Sequence, residues 1–326
     1  MAGSFGRVNR MRWLFAVLLG LLLLGARSVP AQVAVSRLVP AAPSVGDPVE
    51  SIPTASFVTA NPAAMQWGPP TRWGAGSLSA ERIQSLPLAQ AATATRIEFG
   101  GQYVGGRSVE EDFSFAGEFL QIADETNTFL IADWDVLSAG VAFKSGETIT
   151  FGASLERAGT TNLGNSLNFN STNLGLSVKL SRSFYGGLAL GTETVSSSFR
   201  GDENRSVQKL GLAFFTGRTV KWHLEGYQIA KDAAPRFGDE FSSVTTNGAV
   251  AEVLMGPVLI GLSGTSSEKE EAQKRVKTAA LDLGWVPKRG WSLILHSEAA
   301  VTEDLGGASI VEFETTATSV SIAFLF

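Results

Sequence analysis

From residue 71 onward, apolar side chains recur at every second position. In VKWHLEGYQ, Val220, Trp222 and Leu224 alternate with Lys221, His223 and Glu225. In GWSLILHSE, Trp291, Leu293 and Leu295 stand against Ser292, Ile294, His296 and Glu298. TITFGASLER sets Ile149, Phe151, Ala153 and Leu155 against Thr150, Gly152, Ser154 and Glu156. TNLGLSVKL sets Leu174, Leu176, Val178 and Leu180 against Asn173, Gly175, Ser177 and Lys179. ATRIEFGGQY sets Ile97, Phe99 and Tyr103 against Arg96, Glu98, Gly100 and Gln102. Strand side chains point to alternate faces, so this period marks β-strands and not helices. Two folds satisfy such strands. A soluble sandwich turns the apolar face inward. A membrane barrel turns it outward to lipid and keeps polar and small groups inside.

The breaks between strands favour the barrel. Read backward from Phe326, short breaks at 287, 256, 217, 182 and 145 alternate with long ones. The long ones lie around 302–310, 265–275, 231–245, 195–205, 158–170 and 124–134, and they carry runs such as GTTNLGNSLNFNST and TSSEKEEAQKR. Short turns at one rim and longer loops at the other are the habit of outer-membrane barrels. After residue 100 the only prolines are Pro235, Pro257 and Pro287, each in or beside a connection, where a missing N–H harms no ladder.

The expected fold is therefore all-β: a transmembrane antiparallel β-barrel of about fourteen strands. The segments are 71–80, 93–104, 113–123, 135–144, 148–157, 171–181, 184–194, 206–216, 219–229, 246–255, 257–264, 276–286, 290–300 and 315–326. Gly74 and Gly76 interrupt the first, so a count of twelve stays open. The last, TSVSIAFLF, aligns Val320, Ile322, Phe324 and Phe326 on one face. An uncovered apolar strand there would invite aggregation. In a barrel, lipid covers that face and the strand pairs with the first one.

Composition agrees. Hydrophobic residues make up 44% and charged residues only 17% of the 326, which is low for a soluble domain. There is no cysteine and there are two histidines, so thiolate and His-rich metal sites are excluded. A net charge of −5 argues against a nucleic-acid partner. Arg7, Arg10 and Arg12 precede the apolar run Trp13 to Gly25, and VPA follows. A basic flank, a short apolar run and a small-residue site read as a secretory signal peptide over 1–31, cleaved after Ala31. The run is too short for a membrane helix, which needs about 20 residues.

Residues 32–70 break the alternation. Within PTASFVTANPAAMQWG, Asn61 can cap a helical turn and Pro62 suits its first position. Phe57, Met65 and Trp67 make the segment a poor candidate for staying in water. It is read as a plug, 32–70, set before the barrel, 71–326. Here the sequence resembles a known family. Ala55-Ser56 followed by Asn61-Pro62-Ala63 is similar to the N-terminal hatch motif of the long-chain fatty-acid transporter (FadL) family, with departures at Thr54 and Ala64. The resemblance implies a fourteen-stranded outer-membrane barrel with an N-terminal hatch. It also implies passive uptake of small hydrophobic compounds such as fatty acids. Relatives of that fold include shuttle components of a secretion system, so a barrel that carries or anchors an exported partner is the alternative.

The barrel reading places charges on inward faces, because a charge facing lipid at mid-bilayer costs about 2–4 kcal/mol. These are Arg96, Glu98, Glu118, Lys144, Glu156, Lys179, Glu193, Lys209, Lys221, Glu225, Glu252, Asp282 and Glu298. Candidate lumen contacts are Lys221, His223, Glu225, Asp282, His296 and Glu298. The two histidines raise a third possibility, an outer-membrane hydrolase, but no G-x-S-x-G nucleophile motif accompanies them. The chain is read as a non-enzyme without cofactor or metal. Expected partners are membrane lipid, a small hydrophobic ligand, and the outer-membrane assembly machinery, for which Phe324 and the terminal Phe326 resemble the signature. Trp73, Trp222, Trp285 and Trp291 fall near strand ends, where interfacial aromatics belong.

Overall fold

The computed structural model describes residues 61–67, 72–85, 95–123, 134–162, 165–216, 220–237, 241–270, 273–287, 290–306 and 310–325. A 3-10 turn, Pro62–Trp67, precedes fourteen strands. These are β1 (Arg72–Ser85), β2 (Thr95–Val109), β3 (Phe113–Ala123), β4 (Trp134–Ser145), β5 (Ile149–Asn162), β6 (Asn165–Lys179) and β7 (Phe184–Ser197). They continue with β8 (Gly201–Thr216), β9 (Val220–Lys231), β10 (Val244–Met255), β11 (Val258–Lys269), β12 (Lys274–Trp285), β13 (Gly290–Asp304) and β14 (Ile310–Leu325). Each strand pairs antiparallel with its sequence neighbours, and β1 pairs with β14 from Gly74↔Leu325 to Ser85↔Glu314. The sheet is a closed barrel, and closure leaves no edge. Fourteen strands, not twelve, complete it. Despite its glycines, β1 has a ladder on both sides. No described helix is long and apolar enough to cross a membrane, which says nothing against crossing by strands.

The faces are inverted relative to a soluble protein. Leu155 is 62% and Leu174 64% exposed, whereas Thr150 and Ser177 are 0% exposed. Phe151, Leu188, Leu210, Leu212, Leu224, Leu262, Leu283 and Leu293 share the outward face. Single exposed leucines are ordinary, but a continuous band around a molecule is not. Hydrocarbon as the outer solvent accounts for it.

One rim carries the connections 110–112, 146–148, 180–183, 217–219, 256–257 and 286–289. The tightest is Gly256-Pro257. Gly256 takes φ 61°, which a type II′ hairpin asks of its first central residue, and proline there gives up no ladder donor. Outward aromatics gather at this rim: Phe143, Phe184, Trp222, Trp285, Trp291 and Phe324. They interlock in pairs, with ring centroids 5.0 Å apart for Phe184–Phe214 and 5.4 Å for Trp291–Phe324. Such a girdle suits a membrane–water interface. The side chain of Trp73 lies outside the description.

At the other rim the structure corrects the sequence reading. The stretches 158–170, 195–205, 265–275 and 302–310 are not long loops. β5 and β6 run on to Asn162↔Asn165, β7 and β8 to Ser197↔Gly201, and β11 and β12 to Lys269↔Lys274. β13 continues to Asp304↔Ile310 across a register shift at Thr302/Glu303. Beyond the lipid band both faces of a hairpin meet water. Alternation then fades from the sequence while the ladder continues.

In β2, Val104 is exposed and pairs with exposed Phe119 of β3, whose neighbour Glu118 is buried. The side chains of Arg96 and Glu98 lie outside the description. The other inward assignments, from Glu118 to Glu298, match the register.

Candidate functional site

The lumen holds the site, and three features divide it by height. The lowest is the segment 61–67, near the short-turn rim. Asn61 opens the turn as a cap, with its Oδ1 accepting from Ala63 N at 3.1 Å, and Ala64 N donates to Asn61 O at 3.0 Å. The other half of the Asn61 amide holds the wall, since Nδ2 donates to Leu176 O at 3.1 Å. The Thr150 hydroxyl donates to Ala63 O at 2.8 Å, and Trp67 Nε1 donates to Ser177 Oγ at 3.1 Å. Gln66 Nε2 reaches the carbonyls of Glu110 and Glu111 at 2.8 and 3.0 Å. Met65 packs on Ala116 and Ala142.

Two glycines in the wall admit this segment. A Cβ on Gly152 would collide with the backbone of Pro62 and Ala63. One on Gly175 would collide with Asn61 Oδ1. Close backbone approach is the reason for glycine at both. The segment touches β2 to β7, with its main contacts to β4, β5 and β6. It therefore docks against one half of the wall. Of the motif residues, Asn61, Pro62 and Ala63 sit in this dock, while Ala55 and Ser56 lie outside the described residues. Phe326 also lies outside them. Phe324 is on the lipid face beside Trp291.

Higher up, β5 to β9 carry a charged band. Glu193 is buried and held by two cations. Arg205 Nε donates to it at 2.6 Å and Lys231 Nζ at 3.1 Å. Ser138 Oγ donates to Glu156 at 3.4 Å, and Lys209 shares this lumen face. Above the band, residues 232–237 and 241–243 turn toward the lumen. Ala234 N donates to Phe241 O at 2.7 Å, and Arg236 N donates to Glu203 at 2.9 Å. Phe241 stacks on Phe169 at 6.1 Å and meets Phe237 at 5.4 Å. The Arg205 guanidinium lies 5.7 Å from the Phe241 ring centre. Beneath it, Val207, Tyr227 and Ile229 form a buried apolar cluster with Val250 against it. The outer mouth is thus aromatic above and charged below.

The third feature lies on β9 to β13 and contains both histidines. His223 Nδ1 is 3.0 Å from Glu252 Oε2, and its Nε2 is 3.3 Å from Glu225 Oε2. His296 Nδ1 is 2.7 Å from Asp282 Oδ1, and its Nε2 is 3.7 Å from Glu298 Oε2. Each imidazole sits between a carboxylate two residues on and the carboxylate directly opposite on the next strand. Gly261 pairs with Glu252 on one side and Asp282 on the other. One register row therefore reads His223, Glu252, Gly261, Asp282, His296. Lys221 shares the face below His223. No group of three among the described residues is placed to hold a metal ion. Five of the six lumen candidates from the sequence thus form these two sets, with Lys221 beside them. Sequence reasoning listed Glu252 among inward charges but did not join it to His223. The repeated His-x-Glu spacing was the available signal.

No protein-family model and no curated protein matches this sequence. Solved structures do match its fold. The toluene transporter TodX of Pseudomonas putida aligns over 88% of this chain and 97% of its own, at TM-score 0.54 and 12% identity. The monoaromatic hydrocarbon channel CymD aligns over 84% and 93%, at TM-score 0.54 and 8% identity. A FadL homologue of Pseudomonas aeruginosa aligns over 87% and 96%, at TM-score 0.51 and 9% identity. The chain has the fold of these FadL-type barrels, as the Asn61-Pro62-Ala63 resemblance implied. At such identities the likeness is one of fold.

Proposed function

We propose that this protein is an outer-membrane conduit for the passive uptake of small hydrophobic compounds. The observation that carries the reading is the segment 61–67 docked inside a closed, lipid-girdled barrel. A barrel whose lumen is narrowed by a segment held along one half of its wall suits one-at-a-time passage better than a wide water-filled pore. The aromatic mouth of Phe169, Phe237 and Phe241 gives an apolar compound a first contact. The three structures it resembles are described as a toluene transporter, a monoaromatic hydrocarbon channel and a FadL homologue, which points the same way. In this reading residues 32–70 form the hatch, and Ala55, Ser56, Asn61, Pro62 and Ala63 are its motif. The terminal Phe326 serves barrel assembly.

The test is uptake of a neutral hydrophobic tracer into liposomes carrying the protein, against protein-free liposomes. Protein-dependent uptake that changes when residues 52–68 are deleted supports the conduit. No protein-dependent uptake, together with a co-purifying exported protein, would favour the carrier or anchor role instead. A hydrolase would show an activity that His223→Ala or His296→Ala abolishes.

A further inference from the structure

We infer that the row from His223 to His296 is a proton-dependent charge selector set into the lumen wall. The inference rests on the conduit reading for its role in transport, but not for its chemistry. Each imidazole hydrogen-bonds one carboxylate through Nδ1, and a second carboxylate oxygen lies 3.3 Å from Nε2 of His223 and 3.7 Å from Nε2 of His296. A neutral imidazole has one N–H and one lone pair. With its N–H on the Nδ1 partner it turns a lone pair toward the other carboxylate. Only the imidazolium carries an N–H toward both. The geometry is that of two imidazoles each bridging two carboxylates, by a hydrogen bond on one side and a longer ion-pair contact on the other.

The bridges run along the wall, because the partners sit on the same strand or at the directly paired position. Protonation therefore alters the charge of the wall without moving a strand, most directly at the partly exposed set Asp282, His296 and Glu298, since His223 and Glu225 are buried. With both rings protonated, Glu225, Glu252, Asp282, Glu298 and the two imidazoles sum to −2. With both neutral they sum to −4. Lys221, two residues before His223 on the same face, adds one fixed positive charge in either state. From β8, the positions paired with His223 and Glu225 are Phe215 and Ala213, which carry none. From β11 the row position is Gly261, and from β14 the position paired with His296 is Ser319. Among the described residues, the four carboxylates and Lys221 carry the charge at this row, and the Tyr227 phenol on the same strand is the titratable group beside Glu225. Gly261 leaves room for Asp282, since a Cβ there would press on its side chain while making ordinary contact with Glu252 Cγ.

The selector works in one direction. As pH rises across the range in which histidine changes charge, about 5 to 8, the wall becomes more negative and anionic solutes are rejected more strongly. A neutral solute feels little of this. The device acts on the ratio of anionic to neutral uptake and not on passage as such.

Two experiments test it. The chain has two histidines, so ring-nitrogen NMR of the full protein labelled at histidine reports both rings directly. The expected result is an imidazolium pattern for both near pH 5 and loss of a ring proton by about pH 8. Rings that stay neutral, or stay charged, across that range overturn the inference whatever the protein transports. In liposomes, the probes are an alkyl sulfonate and an alkyl alcohol of equal chain length. The sulfonate-to-alcohol ratio is expected to fall about fivefold as pH rises over that range, the effect of roughly one unit charge at close range in a wet site, which is the charge of the more exposed His296 ring. His296→Gln, at the more accessible ring, should lose most of that fall, and His223→Gln/His296→Gln should lose it all. A ratio that ignores pH in the native protein overturns the selector, as does a double variant that keeps the fall. Absence of protein-dependent alcohol uptake at every pH overturns the conduit reading instead, and the NMR result then stands alone.

Discussion

At the scale of single residues, the dock of segment 61–67 depends on what is missing from the wall. Gly175 leaves the space that Asn61 Oδ1 fills, and Gly152 leaves the space for the Pro62–Ala63 backbone. Gly175→Val should leave barrel formation intact and displace the segment. The native chain has no cysteine, so Ala64→Cys supplies a clean reporter at a buried position. Its thiol should be protected from maleimide in the otherwise native barrel and labelled rapidly when Gly175→Val is added. Unchanged protection would show that the glycine is not a notch. Asn61→Ala removes the cap and the bond to Leu176 O together, and should weaken docking by about 1–2 kcal/mol, read as faster labelling at the same position. Capping by Asn61 was legible in Asn-Pro. The notch was not, because Gly152 and Gly175 sit in strands whose facing element is more than 80 residues away in sequence. The same limit hid the Glu252 partner of His223. Alternation says which face a residue takes, while register says whom it meets, and register is a property of the assembled sheet.

At the scale of strands, sequence reading was most accurate where lipid imposes a pattern. The short-turn ends fall close to expectation: β3 at Phe113, β7 at Phe184, β10 at Met255 and β13 at Gly290. The opposite ends run past it, as in β8 from Gly201 and β11 to Lys269. Those extensions are hairpins in water, with polar residues on both faces, so period two carries no signal there. This assignment gives the barrel an orientation that can be measured. An epitope inserted after Phe199, exposed at a hairpin tip, should be reached by antibody on intact Gram-negative cells producing the protein. One inserted after Glu147, in a short turn, should be reached only after the outer membrane is permeabilised. The reverse pattern would invert the barrel. The outward face makes its own prediction. Leu174→Arg, near the middle of β6, should destabilise the barrel by about 2–4 kcal/mol in denaturant unfolding from lipid vesicles. Asn170→Arg, on the same face toward the far rim, should cost much less, because depth in the bilayer sets the penalty.

At the scale of the whole molecule, stability rests on closure more than on a packed interior. The lumen is filled by a docked segment, ion pairs and a few apolar clusters, and the apolar majority faces outward. What the ring supplies is a partner for the backbone of every strand on both sides. In hydrocarbon each unpaired N–H or C=O costs several kcal/mol, so a break in one ladder is felt by the whole barrel. The seam between β1 and β14 is where this can be tested, since it joins the two ends of the sheet. Val320 pairs with Ser79 across the seam and with Leu295 on the other side. Val320→Pro removes one ladder donor and places a ring against the neighbouring strand. It should abolish the heat-modifiable form of the protein in gels and leave it as an aggregate. Val320→Thr keeps the donor and the β-branched shape and should fold, because it only exchanges one methyl for a hydroxyl on the outward face. If the proline variant folded and ran as native, the seam would not be carrying the barrel. β14 would then be a covering strand on a sheet already complete without it, contrary to the register that joins it to β1.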